Sequence, residues 1–118
     1  MKFARFLALT ASLIPALAMA DMSPDSFRQL SAGGKLEKTS VEMYVGGVVK
    51  GYLNANGYLS ATGQKPLFCY KGDIDTAQAQ KIAAQAINEH LAKSPGESKE
   101  EIVEMLIMMK LRAMYPCG

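Results

Sequence analysis

Apolar residues recur along this chain at the three-and-four spacing of helices, and the polar stretches between them carry helix-end chemistry. Ser23-Pro24 is a start signal, a capping hydroxyl followed by proline at the first helical position. It predicts a short helix over Asp25–Ala32 that Gly33-Gly34 ends. Lys35–Lys38 reads as a charged connector. Thr39 or Ser40 then caps a longer helix to about Leu59, on which Val41, Tyr44, Val45, Val48, Val49, Tyr52 and Leu53 share helical spacing. Its β-branched residues would also suit a strand over Met43–Val49, but Gly46, Gly47 and Gly51 make poor strand interiors. A loop at Ala61–Pro66 and a turn at Gly72-Asp73 flank Cys69. Asp75 or Thr76 caps a third helix to about Lys93, with a buried stripe of Ala79, Ile82, Ala83, Ala86, Ile87 and Leu91. Ser94-Pro95-Gly96 stops it. Ser98 with Glu101 reads as a capping box that opens a fourth helix. That helix is apolar on nearly every side, through Ile102, Val103, Met105, Leu106, Ile107, Met108, Met109, Leu111 and Met114. Such a helix is expected at the centre of a core or in a subunit interface. Pro116 ends it. The pattern predicts an all-α fold, a small four-helix bundle-like domain over residues 21–118.

Residues 1–20 read as a secretory signal peptide. Lys2 and Arg5 supply a positive start, Phe6–Leu17 is an apolar run too short to span a bilayer, and Ala18-Met19-Ala20 is a cleavage site before Asp21. No cysteine follows that site, so a lipoprotein anchor is not indicated. The alternative is an uncleaved membrane anchor. Export to an oxidising space makes a disulfide the expected fate of Cys69 and Cys117. The bridge would close a loop of about fifty residues and contribute about 4 kcal/mol.

Charge narrows the function classes. The whole chain holds 13 basic and 11 acidic residues. Lys2 and Arg5 leave with the leader, and the remainder is balanced. That argues against a nucleic-acid binder or a basic membrane-surface protein.

Catalytic and metal chemistry find little support. His90 is the single histidine, without a free thiol or a serine-histidine-acid grouping beside it, and a surface or capping role suits it better than catalysis. The methionines of the last helix would suit Cu(I), but their mixing with leucine and isoleucine at helical spacing is core composition. Asp73 and Asp75 lack the further oxygen ligands of a Ca²⁺ loop. Gly47 and Gly51 form a small-xxx-small pair that permits close helix approach, and Lys50 between them rules out a transmembrane version. No cofactor, metal site or enzyme activity is read from these residues.

Several segments together resemble the Rap1a/Tai family of immunity proteins. Tyr44-Val45-Gly46-Gly47-Val48-Val49 is similar to that family's Tyr-x-x-Gly-Val, and Phe68-Cys69 to its Phe-Cys. Thr76–Leu91 followed by Lys93-Ser94-Pro95 is similar to its Leu-x-x-His-Pro helix end, and Tyr115-Pro116-Cys117 to its closing Tyr-Pro-Cys. The set spans about residues 40–118. Three positions depart from the pattern. No cysteine lies in Val41–Met43, Lys71 stands in place of a proline, and Ser94 in place of a histidine.

The resemblance implies a periplasmic helical protein, often a homodimer, that neutralises a peptidoglycan-cleaving amidase effector of type VI secretion. Such effectors use a cysteine-histidine site, and inhibition needs only a loop that fills the cleft. The best loop for that is Lys93-Ser94-Pro95-Gly96-Glu97, polar and held between two helices, with Lys93 and Glu97 as polar anchors. Its bland alternative is an ordinary helix-helix connection. Tyr44, Gly47 and Gly51 are the expected dimer or helix-packing residues. The competing function is a periplasmic chaperone-like or adaptor protein of the small acid-stress helical type, with the apolar last helix as its working surface.

Overall fold

The computed structural model of the protein describes residues 21–118, so the leader reading of residues 1–20 lies outside the described residues. Four α-helices follow in order: α1 (Pro24–Ser31), α2 (Lys35–Ala61), α3 (Thr76–Lys93) and α4 (Val103–Met114). A 3₁₀ turn at Pro95–Glu97 lies between the last two. No strand occurs among the described residues. The fold is all-α.

The helix ends follow local chemistry at three places. The Ser23 hydroxyl accepts the Ser26 amide at 3.1 Å to start α1. Asp75 and Gln78 form a reciprocal capping box on α3, at 2.8 and 3.1 Å. Gly63, at φ +72°, closes α2 with the paired Gln64 N–H to Leu59 C=O and Gly63 N–H to Ser60 C=O bonds.

Two starts differ from expectation. Lys35–Lys38 is not a connector but the first turn of α2, entered from an extended Gly34. Lys, Leu and Glu are good helix formers, and Glu37 lies where the helix dipole favours an acid. Thr39 and Ser40 do not cap; their hydroxyls donate back to the Lys35 and Leu36 carbonyls, at 2.8 and 2.9 Å. The turn before α2 is tight, since a Cβ on Gly33 would lie 2.8 Å from that of Glu37.

The fourth helix starts at Val103, and Ser98 with Glu101 forms no capping box. Residues Ser98–Glu101 are turn and bend. The Val103 N–H is instead satisfied by the Met22 carbonyl at 2.8 Å, and the Asp25 N–H donates to Ser98 at 2.9 Å. The segment that leads into α1 therefore supplies the cap.

Helix α3 packs against both α2 and α4. Its Ala79, Ile82, Ala83, Ala86, Ile87 and Leu91 are all buried, facing Val41, Val45 and Val49 of α2 and Val103, Leu106, Ile107 and Leu111 of α4. The last helix is thus not the central one. It buries one face and turns Met105, Met109 and Met114 to solvent, Met109 by 60%.

Buried Asn56 completes the α2 stripe in a polar way. Its Nδ2 donates to the Phe68 carbonyl and its Oδ1 accepts the Leu67 N–H, both at 2.8 Å, which pins the irregular segment after α2 against the helix. One residue on, the Cys69 N–H donates to the Tyr115 carbonyl at 2.7 Å. Cys69 and Cys117 form the disulfide. Tyr70 and Tyr115 stack obliquely beside it, ring centroids 4.6 Å apart.

Candidate functional site

The connector between α3 and α4 is built by the end of a well-capped helix and a stitched turn. The Ser94 N–H still donates to the His90 carbonyl at 2.8 Å, which ends α3, and the Glu97 N–H donates to Ser94 at 3.1 Å, which forms the 3₁₀ turn. Lys93, Pro95 and Gly96 are exposed, while Ser94 and Glu97 are half-buried. Lys93 makes no ion pair among the described residues.

Glu97 is already engaged. His90, one turn before the helix end, sets Nε2 2.9 Å from Glu97 Oε2. The contact is close enough for an ion pair but not aligned as a hydrogen bond, and Nε2 is buried with no hydrogen-bond partner. Glu101 brings its carboxylate to the same place, so that one ligand atom from each of His90, Glu97 and Glu101 lies within 4.8 Å of the others. Sequence reasoning treated His90 as isolated and gave Glu101 to a cap. A histidine in the last turn of a helix with acids seven and eleven positions on, across a proline turn, was the available signal.

The second surface runs along α2. Tyr44 faces inward: its hydroxyl donates to a Glu104 carboxylate oxygen, and Tyr52 donates to the Glu104 carbonyl at 2.8 Å. Burial raises the Tyr52 phenol above its ordinary 10.0, which keeps the hydroxyl a donor. Gly47 and Gly51 are different. A Cβ at either would meet nothing within 4 Å. They share a solvent face with Leu36, Met43 and Tyr58, exposed by 77, 74 and 68%, opposite the Val41-Val45-Val49 stripe. The three residues read together in sequence are thus divided, Tyr44 toward α4 and the glycines toward solvent.

Two shallow clefts offer no reactive grouping. One, of about 520 Å³, lies between the end of α2 and the Pro66–Gly72 segment, lined by Leu53, Asn56, Phe68 and Tyr70. The other, of about 260 Å³, lies among Phe27, Val41, Gln80 and Ala84. His90 lines neither, and among the described residues both cysteines are in the disulfide. No helix among these residues is long and apolar enough to cross a membrane.

The model of the Rap1a immunity protein family matches residues 19–117. The chain belongs to the Rap1a immunity protein family. The match takes in all four helices, the connector and the disulfide. An immunity protein of this family works by binding a partner effector rather than by turning over a substrate. Comparison with curated proteins and with solved structures gives no match.

Proposed function

We propose that this chain is a periplasmic immunity protein that binds and inhibits a peptidoglycan amidase effector of type VI secretion. The observation that carries the reading is the family match over residues 19–117. The leader features of residues 1–20 and the disulfide agree with an oxidising, exported destination. In this reading the connector Lys93–Glu97 enters the amidase cleft. Lys93 is the polar anchor on the exposed side, beside Pro95 and Gly96, and Glu97 is held back by His90. Hydrogen bonds at both ends of the 3₁₀ turn preorganise the connector and reduce the entropy lost on binding.

The test is inhibition of an amidase encoded beside this gene. Inserting two residues after Pro95 should abolish inhibition and leave the helical circular dichroism unchanged, because α4 takes its cap from Met22 and not from the connector. Full inhibition by the insertion variant would remove the connector from the mechanism. Failure to bind any such amidase would sink the reading.

The same reading includes a homodimer through the solvent face of α2. Two antiparallel copies crossing at Gly47 would set Met43 of one copy against Gly51 of the other, large against small, and Leu36 against Tyr58, an apolar pair, in a self-complementary contact. Gly47→Gln adds a side chain whose Cβ meets nothing within 4 Å in its own subunit. It should turn a dimeric mass in light scattering into a monomeric one without loss of helix. A monomeric wild-type chain at tens of micromolar would refute the pairing.

A further inference from the structure

We propose that His90, Glu97 and Glu101 form a binding site for a first-row divalent metal ion, Zn²⁺ being the natural probe. The proposal goes beyond the immunity reading and stands or falls on the free chain.

The three groups come from separate pieces of backbone: the last turn of α3, the 3₁₀ turn and the bend before α4. Their candidate ligand atoms lie within 4.8 Å of one another. Ligands at Zn–N and Zn–O distances near 2.1 Å in a tetrahedral site lie about 3.4 Å apart. His90 Nε2 and Glu97 Oε2 are already closer than that, at 2.9 Å. Closing the rest asks for rotation of glutamate side chains, and the Glu97 side chain is 45% exposed.

The electrostatics of the place also call for a cation. Two carboxylates share it, and like charges in one site repel. The ion pairs among the described residues are Lys50–Asp73, His90–Glu97 and Lys110–Glu89, so no lysine or arginine among them lies within ion-pair distance of Glu97 or Glu101. The His90 Nε2 atom is buried without a hydrogen bond, a cost that a metal bond to neutral imidazole removes. One imidazole and two carboxylates suit zinc and its neighbours better than Ca²⁺ or Mg²⁺, which prefer all-oxygen shells. Three protein ligands leave a fourth position open to water or to a group from a partner.

The test uses the exported chain, purified without a polyhistidine tag and stripped with chelator. Titration with ZnCl₂ by calorimetry should show saturable binding of one ion per chain, and Co²⁺ should give the visible absorption of a tetrahedral site. His90→Gln and Glu101→Gln should each weaken Zn²⁺ binding by about tenfold or more. Glu100→Gln, a neighbouring exposed acid, should not change it. No saturable binding up to millimolar Zn²⁺ would overturn the site. So would equal binding by wild type and both ligand variants, a comparison that holds provided circular dichroism shows them folded.

Discussion

Ile107→Asp is expected to abolish folding. Ile107 has no solvent exposure and sits in the α3–α4 seam with Ile87 and Leu111, also fully buried. The substitution removes a branched side chain from that seam and places a carboxylate with no cation to pair it. A buried unpaired charge costs more than the aliphatic contacts it displaces. The loss should exceed about 4 kcal/mol, a large share of the stability of so small a domain. Thermal melting followed by circular dichroism should show no cooperative transition. The control is Met109→Asp, two positions on. Met109 faces solvent, so this change should shift stability by no more than about 0.5 kcal/mol. Equal damage from both would mean that the helix is buried all round, as its composition alone suggests.

Cys117→Ser is expected to cost about 4 kcal/mol. The bond joins positions 48 residues apart and so encloses α3, the connector and α4 in one loop. Without it the unfolded chain regains the entropy of that loop, while the native contacts around Tyr115 remain. In a domain of this size the change lowers Tm by roughly 20 °C. Urea unfolding of the wild type with and without reductant should show the same gap. A shift below about 1 kcal/mol would mean that the unfolded state is compact enough to need no staple.

The disulfide and α3 were legible for simple reasons. Two cysteines have one intramolecular pairing, and α3 alternates a clean buried stripe with polar residues, so its six buried positions follow from spacing alone. The start of α2 was not legible. Residues Lys35–Ser40 are exposed throughout, and a turn with no buried position leaves no periodicity to detect. The start of α4 was hidden for a different reason. Its cap is the Met22 carbonyl, some eighty residues away, while the nearer Ser98 and Glu101 mimic a cap and serve otherwise. Methionine misled because it is apolar wherever it stands; Met105 and Met109 carry no mark of their exposure. Asn56 lies one turn beyond Tyr52 and Leu53 on the same stripe, where an apolar residue was due, and that polar break was the trace of a buried clip.

At the candidate site, the sequence located the connector and its exposed Pro95-Gly96 tip. It missed the joining of His90 to Glu97 and Glu101, because helix spacing does not describe what a 3₁₀ turn folds back upon. It placed Tyr44 with Gly47 and Gly51 in one close helix contact. Around a helix, though, Tyr44 lies toward α4, and its hydroxyl is taken by Glu104.

The attachments at Leu67, Phe68 and Cys69 also bear on redox behaviour. Linkage is reciprocal: whatever the disulfide adds to the stability of the fold, the fold adds to the disulfide's resistance to reduction. About 4 kcal/mol corresponds to a reduction potential about 90 mV lower in the folded chain than in the unfolded one. The clip from Asn56 sets the Leu67–Phe68 backbone against α2, and the bond from Cys69 to Tyr115 joins that segment to the end of α4 by a contact that needs no sulfur. In the folded chain the disulfide resists thiols that would open the same pair in an unfolded one.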